Sequence, residues 1–108
     1  MRRFASLCRQ ADFARLRRQG RRIPTKSLLI YRSDARPGDP GSLVGITVSK
    51  AIGKAVVRNK LRRRLAAVVN EALEPHGPMR LLIVARPGAE TALVSDLRGE
   101  VTSALGRA

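Results

Sequence analysis

A chain of 108 residues has room for one small domain with one core, expected to span residues 1–108, and is too short for two. Its 22 Lys and Arg against 8 Asp and Glu give a formal net charge of +14, and no stretch approaches the roughly 20 apolar residues of a membrane span. The charge is concentrated: residues 1–64 hold 18 basic and 3 acidic side chains, net +15, whereas residues 65–108 hold 4 and 5, net −1. A field this one-sided costs self-repulsion, and a polyanionic partner accounts for it better than a mixed solvated surface does. With only Phe4, Phe13 and Tyr31 as aromatics, the core must come from Leu, Val, Ile and Ala. The single cysteine, Cys8, cannot form an internal disulfide, and the opening MRRFASLCRQ has no apolar run long enough for a signal peptide. The expectation is a soluble cytoplasmic protein, independent of any membrane.

Residues 11–20 read as a short helix, with Asp12 near its start, Gly20 as its stop, and Phe13 and Leu16 on one face. Residues 21–24 form a brief extended piece ending at Pro24. Leu28 to Arg32 is strand-like, Arg36 to Gly41 is dense in turn residues, and Leu43 to Ser49 is a β-branched strand. These two strands suggest an antiparallel hairpin with a flexible tip. From Ala55 to Glu74 the apolar residues Val57, Leu61, Leu65, Val68 and Ala72 keep one stripe of a helix. Asn59 and Arg63 lie opposite the stripe, with Arg58 and Arg62 on one flank and Lys60 and Arg64 on the other. Residues 75–78 (PHGP) end this helix, Met79 to Ala85 reads as a buried strand, Pro87-Gly88 turns the chain, and Leu93 to Leu105 is a last helix. The order predicts an α+β two-layer sandwich, with helices covering one face of a sheet.

Residues for protein-based catalysis are missing from this pattern. His76 sits in a Pro/Gly turn without the partner and pocket a general base needs. Cys8 has neither a second cysteine nor a nearby histidine, and is read as a small buried apolar residue. The scattered acids suggest no two-metal site, and Gly41, Gly45 and Gly53 have the wrong spacing for a nucleotide-binding loop. No metal or other cofactor is expected on the protein.

RNA binding is better supported. Between Ser49 and Leu65 stand Lys50, Lys54, Arg58, Lys60, Arg62, Arg63 and Arg64, with no acid among them. No acidic neighbour one helical turn away neutralises the run, so phosphates would relieve its repulsion and release counterions. Arginine's planar fork suits phosphates and bases, and the helix N-terminus favours anions. Phe13, on a basic helix, and Tyr31, beside Arg32, are either core residues or stacking surfaces for bases. The wider alternatives are a ribosomal or other structural RNA-binding protein, a protein-only nuclease, and a membrane-surface protein.

The stretch from Gly45 to Arg63 (GITVSKAIGKAVVRNKLRR) resembles the signature of the bacterial ribonuclease P protein family: a G-x-x-V-S-K strand end, then G-x-A-V-x-R-N leading into a basic helix. The family's RNR motif ends here in Lys60, which keeps the charge. Asp12-Phe13 to Gly20 resembles the family's first helix and Leu29-Ile30-Tyr31 its leader-facing strand, so the likeness covers roughly residues 10–90. The resemblance implies an α-β-β-β-α-β-α order, ribosomal protein S5 domain 2-like, with a left-handed β-α-β crossover through the basic helix. It implies a subunit of the ribonuclease P endoribonuclease, in which a catalytic RNA using Mg2+ performs the hydrolysis and the protein alone is not catalytic. The implied partners are that RNA and precursor tRNA, with no protein partner required. Carried over residue by residue, it implies RNA contacts for Arg58, Asn59, Lys60, Arg62 and Arg63, more weakly Lys50 and Lys54, and a cleft for the single-stranded 5′ leader at Phe13 and Tyr31. Many members carry a second aromatic one turn after the first, where this chain has Arg17, so charge is expected to replace part of the stacking there.

Overall fold

The structure is a computed structural model that describes residues 3–7 and 9–106. Cys8, read above as a buried apolar residue, lies outside the described residues. The elements run β1 (Phe4–Ser6), α1 (Gln10–Gln19), β2 (Arg21–Pro24), β3 (Leu28–Asp34), β4 (Ser42–Thr47), α2 (Ala55–Ala72), β5 (Met79–Ala85) and α3 (Val94–Leu105). Short 3-10 turns occupy Lys50–Ile52 and Ala89–Thr91.

The strands form one sheet in the order β1-β4-β5-β3-β2. β5 is parallel to β4 and antiparallel to β3, so it stands between two strands that are neighbours in sequence. The expected β3–β4 hairpin is therefore absent. Both strands are apolar enough to flank a central strand buried on its two faces, and the MRLLIVA run supplies that strand: Leu81, Leu82 and Ile83 are all inaccessible to solvent.

The large core lies on the face that carries Leu81 and Ile83. There α2 contributes Leu61, Leu65, Val68 and Val69, and α3 contributes Leu97, Val101 and Leu105. The inward stripe of α2 includes Val69 as well as the expected positions, and the helix stops at Ala72 instead of Glu74. Three polar links fix α3. Arg32 donates to the carbonyls of Leu105 (2.8 Å) and Ala104 (3.4 Å), satisfying the exposed end of the helix. Glu100 accepts from Thr25 Oγ1 (2.6 Å) and the Ser27 amide (2.7 Å). Arg98 pairs with Glu71 of α2 at 2.9 Å.

α1 packs on the opposite face, contrary to the expectation that all helices share one. Leu7, Leu16 and Leu82 form a small second core there, bordered by Phe13, Tyr31, Leu43 and Val84. Arg80 of β5 also points to this side and fastens its surroundings. Its Nε and Nη2 donate to the two oxygens of Asp39 at 2.9 and 2.8 Å, and Nη1 donates to Asp12 of α1 at 3.0 Å. Asp39 also accepts from the Arg36 amide at 2.8 Å. The 36–41 loop is thereby stapled to the sheet, which corrects its reading as a flexible tip.

The hydrogen bond from Arg80, aided by the Arg36 amide, holds the Asp39 carboxyl at about 2, below its ordinary 3.8. A carboxylate so depressed stabilises the fold above the unfolded value and loses that contribution as pH falls from about 4 through about 2. Acid titration of the melting temperature should therefore show a decline in that window. Asp39→Asn should lower the melting temperature at neutral pH and flatten the decline; an unchanged acid limb in the variant would show that other carboxylates set it.

Candidate nucleic-acid interface

The segment joining β4 to α2 is built around Gly53, whose φ of +153° lies in a region other residues seldom adopt. A Cβ there would meet Val57 only at ordinary van der Waals distance, 3.4 Å, so the requirement is conformational, not spatial. Arg58 Nε donates to the Gly53 carbonyl at 3.2 Å and clasps this connection onto the first turn of α2. Arg62 reaches the Val48 carbonyl at 3.5 Å and the Asn59 side-chain oxygen at 3.2 Å. Arg58 and Arg62 are thus partly engaged in shaping the segment, and their remaining N–H groups are left for a ligand.

Asn59, Lys60 and Arg63 stand exposed on the outward side of α2, while Arg64 is half-buried on its flank. Lys50 falls in the 3-10 turn before the helix and Lys54 is its N-cap residue, so neither lies within the helix proper. The Lys54 side chain caps no amide, and the first turn of α2 contains no acid. Among the described residues, the ion pairs belong to Arg3, Arg80 and Arg98; none of the seven cations between residues 50 and 64 has one. The result is a helix N-terminus with open amides inside an unneutralised basic patch, which is favourable ground for phosphates.

The second cluster is on the α1 face. Phe13 and Tyr31 come from different elements and are brought to one apolar surface with Leu43 and Val84, each half-buried. Gly45, inside β4, makes this possible: a Cβ there would lie 2.6 Å from Phe13 Cε1 and 3.2 Å from the Leu7 carbonyl, so only glycine lets the ring rest on the strand. Arg17, one turn after Phe13, is exposed on α1. Arg32 does not join Tyr31, because successive strand residues face opposite sides and its guanidinium is committed to α3.

A cleft of about 430 Å3 connects the two clusters, with Phe13, Gly45 and Ile46 on one side and Arg62, Arg63 and Ala66 of α2 on the other. Gly45, Ile46 and Ala66 had no part in the sequence-based site. An isolated glycine within a β-branched strand was the available signal, since it marks close approach by another group. His76 is half-buried in the turn after α2, where its amide bonds the Leu73 carbonyl. Among the described residues, no group of three or more His, Cys, Asp or Glu side chains could hold a metal ion.

The chain is similar to known proteins in sequence and in fold. A family model described as Ribonuclease P matches residues 1–108. The ribonuclease P protein component of Acidothermus cellulolyticus is 35% identical, with 94% of this chain and 85% of that protein covered. The corresponding protein of Streptomyces bikiniensis is 40% identical, over 94% and 89%. The solved structure of the Staphylococcus aureus RNase P protein superposes with a TM-score of 0.81 at 22% identity, covering 93% of this chain and 91% of that one, a match of fold.

Proposed function

This chain belongs to the ribonuclease P protein component family, and from that premise we propose that its two surfaces divide the RNA of the enzyme between them. As a subunit of the ribonuclease P endoribonuclease, which matures the 5′ ends of tRNA, it has the ribonuclease P RNA as its partner. The basic segment from Lys50 to Arg64 docks on that RNA. Arg58 and Arg62 order the segment, while Asn59, Lys60 and Arg63 face outward toward phosphates and bases. The α1 face, with Phe13 and Tyr31 flanked by Arg17, holds the single-stranded 5′ leader of precursor tRNA. Hydrolysis belongs to the RNA and its bound Mg2+; the protein positions the substrate, in the cytoplasm, and needs no protein partner.

The observation that carries this reading is the run of seven cations with no ion pair among the described residues, contiguous with an apolar face that holds two half-buried aromatic rings. Reconstitution tests it directly. The purified protein should not cut precursor tRNA, whereas the protein with its catalytic RNA should cut at a Mg2+ concentration too low for the RNA alone. His76→Ala should leave holoenzyme cleavage unchanged. Metal-dependent cleavage by the RNA-free protein would overturn the assignment of the chemistry.

The docking surface makes a separate prediction. Affinity for RNA should fall steeply with salt, because each neutralised phosphate releases counterions, with a log–log slope of roughly −0.7 to −0.9 per contact. Replacing the exposed pair Lys60 and Arg63 together by Ala should flatten that slope by about one to two units. An unchanged slope would mean that both side chains face only water in the assembled enzyme.

A further inference from the structure

The cleft between α1 and α2 is distinct from the open sheet face, since Tyr31 is not among its lining residues. Its volume, about 430 Å3, falls within the usual range of small-ligand pockets, about 300–1,000 Å3. Phe4, Phe13, Ile46 and Ala66 give it apolar walls, Arg62 and Arg63 contribute two positive charges, and among the described residues no acidic side chain lines it. Among the described residues, the pairing of β1 with β4 ends at Ser6 and Val44, so Ile46, which lines the cleft, lies beyond the last residue of β4 that pairs with β1.

We propose that this cleft receives the base of one unpaired nucleotide of the catalytic RNA, with the adjoining phosphate held by Arg62 and Arg63. An aromatic ring beside aliphatic walls takes the flat face of a base in whatever sequence it occurs. The arginine pair supplies forked donors to phosphate. The absence of a carboxylate removes both repulsion toward that phosphate and any means of holding a cation in its place. The catalytic RNA, and not the leader, is the source because both cations stand on α2. Arg62 is also tied through Asn59 to the outward basic surface of that helix. Gly45 is part of the design: by letting Phe13 rest on the strand, it holds the ring as a wall of the cleft instead of a plug within it.

The proposal rests on the reading that α2 docks on the catalytic RNA, and the experiment separates the two. Ala66→Leu fills the cleft from the helix side with a residue of good helix propensity. The dissociation constant for the catalytic RNA, without tRNA, is measured for wild type, Ala66→Leu and Lys60→Ala, each with a thermal melt. Ala66→Leu should weaken assembly tenfold or more at an unchanged melting temperature, and Lys60→Ala should weaken it as well. In the Ala66→Leu holoenzyme, formed at saturating protein, the ratio of affinities for leader-bearing and leaderless substrates should match wild type. If Lys60→Ala weakens assembly while Ala66→Leu stays within twofold of wild type, the cleft takes no base and the docking reading stands. If both stay within twofold, docking through α2 is wrong and the proposal falls with it. A defect confined to leader-bearing substrate would assign the cleft to the leader and overturn the proposal too. Should Ala66→Leu lower the melting temperature, Ala66→Met, with a flexible side chain of similar bulk, takes its place under the same criteria.

Discussion

Phe13→Ala and Tyr31→Ala should each weaken binding of precursor tRNA by the holoenzyme by about 1–3 kcal/mol, the range for loss of one base–aromatic stack. For Tyr31→Ala, assembly with the catalytic RNA should change far less, because that ring lies outside the cleft beside α2; Phe13→Ala should weaken assembly as well, because its ring also walls that cleft. The loss should disappear when the leader is trimmed to one or two nucleotides, since no base then reaches the α1 face. Arg58→Ala and Asn59→Ala should show the opposite pattern, weakening assembly whatever the leader length. Thermal melts are essential for Phe13, whose ring is half-buried against Gly45; full truncation of a buried Phe costs about 3–5 kcal/mol. A Phe13→Ala defect that persists with leaderless substrate would remove that residue from the leader site.

Leu82→Ala should produce the largest loss of stability with a functional signature. Leu82 is fully buried with Leu7 and Leu16 in the smaller core, on the face that α1 covers. Removing its side chain should cost about 2–5 kcal/mol, a large share of the roughly 5–15 kcal/mol that holds a domain folded. For a chain of this size the melting temperature should fall by at least about 10 °C. Leu65→Ala, fully buried on the opposite face, should destabilise to a similar degree. The two should differ below the melting transition: Leu82→Ala frees the seat of α1 and should also reduce the leader-dependent part of substrate affinity, whereas Leu65→Ala should leave it intact. Equal leader dependence in both variants would mean that the position of α1 does not matter for the leader.

Elements marked by strong periodicity or punctuation were legible from residues alone. The spacing of Leu61, Leu65, Val68 and Ala72 places α2, and β5 is bounded by Pro78 on one side and Pro87-Gly88 on the other. β1 left no such trace. It has three residues, presents only Phe4 inward and pairs in parallel, so neither a turn signal nor an alternation announces it. Strand order was equally hidden, because the apolar pattern of β3 and β4 suits contact with each other as well as contact with β5. The Arg80–Asp39–Asp12 cluster joins three segments far apart in sequence, and pairing at that range depends on the fold. In the candidate site, the cations from Lys50 to Arg64 could be read as a polyanion surface without the fold. That Phe13 meets Gly45, and that Arg32 serves α3 rather than Tyr31, could not.

The place of β5 in the sheet has a consequence for biosynthesis. Without it the sheet separates into β1 with β4 and β2 with β3, two strand pairs that share no edge. A nascent chain therefore has no continuous sheet until Met79 to Ala85 has left the ribosome, and every contact that unites the halves spans a long stretch of sequence. Folding that depends on such distant contacts is slow. Throughout that delay the basic stretch from Lys50 to Arg64 is already synthesised, with its phosphate-seeking charge on display and its apolar stripe uncovered. Capture by RNA can consequently precede closure of the core, and a chain stopped before Met79 is expected to precipitate with cellular RNA instead of accumulating as a folded fragment.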